Sequence, residues 1–247
     1  MRADSIPLTT GRGTSPAAPT TTRVAVLAEP PLPGRCLPGL LAAHEPEWVA
    51  GLCAAMLRDT LDGLQSVDAS EYLVFASGDD EALRVLARHV PAPWRLVGGV
   101  ADASAAFAKL GRSSGATDEA TGAPDGVTLL ARGDAPSAPI EPLVALLSTT
   151  GGAAIRAPLA ILGRSEDGRA WLLGARAVGD LTADLPWDSP ELAAAVCVRC
   201  ARADVPVVEL PRSAIVDAPS AVLALLEELR RHPERAPRTA QFIVTRG

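Results

Sequence analysis

The chain has 247 residues, 48% of them apolar but only 3% aromatic, and a formal net charge of −6. That apolar share excludes a disordered chain and predicts one large domain with a core of Ala, Val and Leu. The acidic balance, with no basic run interleaved with aromatics, argues against a nucleic-acid binder. No apolar run reaches the roughly 18 residues of a membrane span.

Met1 to Thr22 is rich in Ser, Thr, Pro and Gly and lacks the continuous apolar stretch of a signal peptide, so it reads as a disordered leader to a single domain over 23–247. Arg23 to Ala28 is a short apolar run, expected as a first buried strand. A Pro/Gly-rich loop, Glu29 to Gly39, leads to a helix opened by Pro46 and running to about Gln65. Its apolar residues Val49, Leu52, Cys53, Met56, Leu57 and Leu61 recur at helical spacing.

Tyr72 to Ala76 predicts a second strand, with Ser77 and Asp79 placed to cap a helix from about Asp80 to His89. Trp94 to Val97 is a short third strand and Ala101 to Leu110 a helix. Arg112 to Gly126 has almost no large apolar residue and is expected as a mobile loop. Val127 to Ala131 is a fourth strand, followed by Arg132-Gly-Asp-Ala-Pro136 and a helix over Ile140 to Leu147.

Leu159 to Leu162 and Ala170 to Leu173 read as strands around a turn. Pro190 to Ala203 reads as a helix, Val205 to Leu210 as a strand, and Ser220 to Arg231 as a further helix, with Gln241 to Thr245 expected as an edge strand. Alternating strands and helices predict a three-layer α/β domain, its mainly parallel sheet covered by helices on both faces. In such sheets ligands bind beyond the carboxyl ends of the strands, so the loops after Ala28, Ala131 and Leu162 are the places for a site.

The four cysteines, Cys36, Cys53, Cys197 and Cys200, are too few for a disulfide scaffold, and a reducing cytoplasm is the default compartment. Cys197 and Cys200 form a C-x-x-C inside a helical run, where spacing of three puts both on one face. Without a second pair or a nearby His, they read as small core residues or as a metal or redox pair. The cluster Arg230, Arg231, Arg235 and Arg238 reads as a solvated helix end. His44, His89 and His232 are scattered and form no triad.

The three loops carry a resemblance. Val26-Leu-Ala-Glu-Pro-Pro-Leu-Pro-Gly34 resembles the opening of GT-A-like proteins of the rSAM/selenodomain-associated glycosyltransferase family. Gly133-Asp134-Ala-Pro136 is similar to its Gly-Ser-Asp-x-Pro motif. Leu162 to Gly174, containing Glu166-Asp167-Gly168, resembles its Gly-Pro-x-Glu-Asp-Gly-Gly segment. Leu185 to Pro190 and Val216 to Pro219 follow in register.

The resemblance implies a nucleotide-diphospho-sugar transferase-like fold and a metal-dependent glycosyl or nucleotidyl transferase with a nucleotide or nucleotide-sugar donor. Asp134 and Asp167 would be its catalytic carboxylates, holding Mg²⁺ or Mn²⁺ against a diphosphate. Glu29, Arg35 and Gly133 would contact the donor from the cleft's rim. The sequence departs from the family where cations should hold phosphate. Leu37 stands in place of a lysine, Gly39 in place of an arginine, and the Gly-Glu-Arg segment is missing near Val100 to Asp102. Restoring both cations, by Leu37→Lys with Gly39→Arg, is therefore expected to strengthen donor binding.

Read without the resemblance, Asp134 either holds a cation or caps the turn after its strand. Glu166 and Asp167 are either metal ligands or an exposed acidic turn. Asp217 reads as a cap for the last helix, and Arg35 as a phosphate contact or a solvated side chain. Trp187 either lines an acceptor pocket or packs in the core, where Trp171 is also expected. Two functions remain: a diverged transferase of weak or no activity, or a non-catalytic binding or scaffold protein on the same fold.

Overall fold

The computed structural model describes residues 22–100, 102–112, 126–149, 157–176, 182 and 184–246. The expected leader, apart from Thr22, and the interior of the expected mobile loop lie outside these residues. Thr22 itself opens the first strand, β1 (Thr22–Leu27).

Among the described residues seven strands form one sheet: β1, β2 (Glu71–Phe75), β3 (Arg95–Val97), β4 (Val127–Arg132), β5 (Leu159–Arg164), β6 (Ala170–Arg176) and β7 (Val207–Leu210). Their spatial order is β3-β2-β1-β4-β6-β5-β7. All pairs are parallel except those of β6, which runs antiparallel to both β4 and β5. The expected neighbours β2, β1 and β4 adjoin directly, and the β5–β6 hairpin places β6 between β4 and β5.

The β1 residues show why the sheet is buried on both sides. Val24 and Val26 pack into one core cluster and Ala25 into the other, as the period-two alternation of a strand requires. One face is covered by α1 (Pro46–Leu64) through Leu57, Leu61 and Leu64, with α2 (Asp80–Ala87) and α4 (Glu141–Thr149) beside it. The other is covered by α3 (Ala103–Arg112) through Ala106, Phe107 and Leu110, and by α5 (Leu192–Arg202) through Leu192 and Val196. Phe75 and Trp171 are the largest fully buried side chains in a core otherwise dominated by small aliphatics. This is the predicted three-layer arrangement.

A third cluster joins the 36–40 loop, α1, α6 (Pro219–Arg231) and α7 (Pro237–Arg246). Here the expected edge strand over Gln241 to Thr245 is overturned, because those residues lie inside α7. Helical spacing buries Thr239 and Ile243 on one side, and Phe242 rests against Gly51 and Trp48 of α1. The helix is anchored by the fully buried Asp59 carboxylate, which accepts the Arg238 N–H at 3.2 Å and the Thr239 N–H at 2.7 Å. Two of the free N–H groups of its first turn are thus satisfied from a residue distant in sequence.

Candidate functional site

Parallel strands deliver the loops after β1, β2, β3 and β4 to one edge of the sheet, where their unpaired ends leave a crevice. A cleft of about 190 Å³ opens there, lined by Glu29, Leu37, Ser77, Asp102, Arg132, Gly133, Asp134 and Asp188 among others. A larger hollow of about 490 Å³ lies beside α1 and α4 and shares no residue with it. The smaller one sits at the carboxyl ends of β1 to β4 and is the candidate site.

The first loop is shaped by Glu29, whose carboxylate accepts the Leu37 N–H at 2.8 Å. Leu37 is held in the left-handed region at φ 46° and is only 2% exposed. Burial pushes the Glu29 carboxyl above the usual carboxylate range, and Asp134 and Asp188 add to this against the opposing Leu37 N–H and Arg132. The residue as a whole is exposed, so solvent damps the effect.

At the end of β4, the Gly133 N–H donates to the Leu27 carbonyl at 2.9 Å. A Cβ here would lie 3.2 Å from Leu57 Cδ1 and 3.3 Å from the Leu27 oxygen, so glycine allows the close approach of the two loops. The Asp134 carbonyl accepts the Val216 N–H at 2.8 Å. Its carboxylate is gripped in two places by the preceding arginine, with Arg132 Nε to Oδ1 and Nη2 to Oδ2 both at 2.9 Å. Arg132 Nη1 reaches Asp188 Oδ1, also at 2.9 Å. Burial alone would lower the arginine's proton affinity, but Asp134 and Asp188 more than offset it and raise it above the ordinary value.

A second arginine organises the neighbouring loop. Asp167 stands at the tip of the β5–β6 hairpin, where it accepts the Arg169 N–H at 3.1 Å and Arg169 Nε at 2.6 Å. The other end of that guanidinium holds both oxygens of Asp217, at 2.5 and 3.1 Å. Asp217 therefore does not cap α6, whose N-cap is Ala218 without a side-chain bond. Burial would raise the Asp167 carboxyl, but the Arg169 contacts prevail and hold it below the usual range. A depressed folded-state value contributes stability above the unfolded carboxylate value of about 4, lost as pH falls through the folded value. Arg169→Gln is expected to lower the melting temperature at pH 7 and to flatten its decline below about pH 4. Thermal melts of both proteins from pH 2 to pH 7 check this.

Of the five residues expected at the site, Glu29, Gly133 and Asp134 line one cleft. Asp167 shares that edge of the sheet but is not among the lining residues, and it is bound to Arg169. Arg35 is drawn instead to Asp79, at 3.1 Å with both side chains about half exposed, and Asp79 caps α2 through the Ala82 N–H at 2.8 Å. Glu166 is exposed and 3.7 Å from Arg212. Trp171 is buried and donates to the Pro211 carbonyl at 3.2 Å, while Trp187 packs on Phe107 at 5.6 Å between ring centroids. Cys200 is buried in the core cluster that Cys197 borders, and all four cysteines are free.

Arg132 and Asp188 were missed by the sequence reading, although both lie within or beside matched segments. Leu37 and Gly39, noted there as absences, have positive structural roles. Leu37 is a buried wall of the cleft, and Gly39 lies so close to the Asp217 carbonyl that a Cβ would overlap it.

The layered sheet with this carboxyl-edge cleft defines the fold as that of the nucleotide-diphospho-sugar transferases. The chain is similar to a candidate nucleotide-diphospho-sugar transferase from Desulfovibrio desulfuricans G20, with a TM-score of 0.74 at 18% identity over 91% of this chain and 94% of that one. It is similar also to CMP:2-keto-3-deoxy-manno-octonic acid synthetase complexed with CTP, with a TM-score of 0.52 at 11% identity over 86% and 99% of the two chains. A nucleotidyl transferase from Methanothermobacter gives 0.52 at 14% identity, again over 86% and 99%. No family model and no curated protein sequence matches the chain.

Proposed function

We propose that this chain is a diverged member of the transferase lineage, which binds a nucleotide or nucleotide sugar in the carboxyl-edge cleft with weak or no turnover as a glycosyl or nucleotidyl transferase. The observation that carries this is the convergence of Glu29, Gly133 and Asp134 on one cleft, at the place where this class of sheet receives ligands. The fold's likeness to nucleotide-using transferases supports it.

The residues as folded do not fit a divalent cation. Both Asp134 oxygens are occupied by Arg132 and both Asp167 oxygens by Arg169. Among the described residues no three Asp, Glu, His or Cys side chains gather as a metal ion requires. The Mg²⁺ or Mn²⁺ that the resemblance implies therefore has no step here. Gly133 lets the β1 and β4 loops close together, Glu29 fixes the 29–37 loop, and Asp134 holds the Arg132 guanidinium at the cleft wall.

A specific observation favours the second reading, a binding or scaffold protein on this fold. The positions of the missing lysine and arginine are filled by a buried leucine wall and by the Asp217 carbonyl. Without those cations, the dissociation constant is expected to be roughly high-micromolar or weaker, or about −5 kcal/mol. Calorimetric titration with UDP-glucose, GTP and CTP, followed by assays for donor hydrolysis and transfer, decides. Binding with turnover supports the enzyme, binding without turnover supports the binding module, and no binding either by the folded protein or by a variant with the cleft's Asp188 neutralised refutes the nucleotide reading.

A further inference from the structure

Arg132 has a geometry that a merely structural arginine would not need. A guanidinium carries five N–H donors. Three are engaged among the described residues, two by Asp134 and one by Asp188. The two partners differ sharply in environment. The Arg132 and Asp134 side chains are 22% and 14% exposed and joined by two bonds, whereas Asp188 is 81% exposed and joined by one. Paired, sheltered contacts persist, whereas a single bond to a solvated carboxylate contributes little.

We infer that Arg132 is the cleft's anion-binding cation in place of a metal ion, and that Asp188 is a built-in competitor that the donor's diphosphate displaces. This rests on the nucleotide reading above. Asp134 holds the guanidinium plane in place. On binding, Arg132 Nη1 releases Asp188 Oδ1 and donates to a phosphate oxygen, while the two uncommitted N–H groups supply further contacts in the fork geometry that suits phosphate. No bond is made or broken and no proton moves. While Asp188 stays in place, its charge also repels the incoming anion, which accounts for a site that is cationic at one point yet lined by Glu29, Asp102, Asp134 and Asp188.

The test is titration of inorganic pyrophosphate, GTP and UDP-glucose in EDTA against the full chain and the Asp188→Asn, Arg132→Lys and Arg132→Gln variants. Thermal melts confirm that each variant is folded. Asp188→Asn removes an exposed charge and leaves the core untouched. It is expected to tighten metal-free binding roughly tenfold, as loss of one like charge beside a bound anion allows. Arg132→Gln is expected to weaken it by about tenfold or more, with Arg132→Lys between, since lysine keeps the charge but loses the fork. Binding detectable only in Asp188→Asn also supports the competitor role. Nucleotide binding that requires Mn²⁺ and ignores both Asp188→Asn and Arg132→Lys overturns the inference and leaves the nucleotide reading standing. Failure of the parent and Asp188→Asn to bind any of the three, with and without Mn²⁺, overturns both.

Discussion

Replacing Asp59 by alanine is expected to destabilise the protein by about 2–4 kcal/mol, the range for losing a buried charged acceptor that serves two backbone donors. The carboxylate has no solvent access, and it holds the Arg238 and Thr239 N–H groups at the start of α7. Alanine would leave both donors buried or force α7 to shift off α1, against which Phe242 and Trp48 pack. For a chain of this size the melting temperature should fall by roughly 5–15 °C. Asp62→Ala is the control. Asp62 also pairs with Arg238, but both side chains are over a third exposed, so its loss should cost no more than about 1 kcal/mol. Equal melting temperatures for Asp59→Ala and Asp62→Ala would refute the anchoring role.

The same contact explains where sequence patterns stopped being informative. The sheet was legible because its strands are local and redundant. Val24 to Leu27 and Val127 to Ala131 are short, mostly aliphatic and mostly buried runs, and punctuation by Gly and Pro marks their ends. The α7 segment was not. Gln241-Phe-Ile-Val-Thr245 has the composition of a strand, whereas its helix is held by packing on α1 and by the Asp59 carboxylate at its first turn, which no local window contains. Tertiary contacts override a weak local preference in such cases.

The site divides along the same line. Glu29, Gly133 and Asp134 were legible because each follows a strand whose end fixes its position. Arg35 and Asp167 were placed at the right edge of the sheet, but their partners Asp79 and Arg169 decide where the side chains go. Arg132 drew no reading of its own in the sequence, because nothing local marks a strand-end arginine as a site residue. Of its two carboxylate partners, Asp134 is two residues away and Asp188 lies on the segment before α5, alongside Arg132 only once the sheet has formed.

Restoring both missing cations is no longer expected to succeed, because the two positions differ physically. At Gly39 any side chain begins with a Cβ 2.2 Å from the Asp217 carbonyl oxygen, far inside van der Waals contact distance. The obstacle is backbone, held in place through Val216, whose N–H donates to the Asp134 carbonyl. Gly39→Arg should therefore force the 213–218 segment outward at a cost of about 2–4 kcal/mol, at or beyond the upper end for overpacking. Gly39→Ala should already show most of it, since the clash is at Cβ. Leu37→Lys has an open route. Leu37 lines the cleft, so a lysine there can keep its stem against the wall and extend its ammonium toward bound phosphate. Burial of the leucine is lost, at about 1.5–3 kcal/mol of stability. GTP affinity should nevertheless rise by roughly 5–100-fold, as one charge-assisted bond allows. Melts of the two single variants and the double variant, with GTP titrations of each that remains folded, test the pair. A stable Gly39→Arg protein with tighter GTP binding would show that the 213–218 segment yields readily and that the arginine's place is still open.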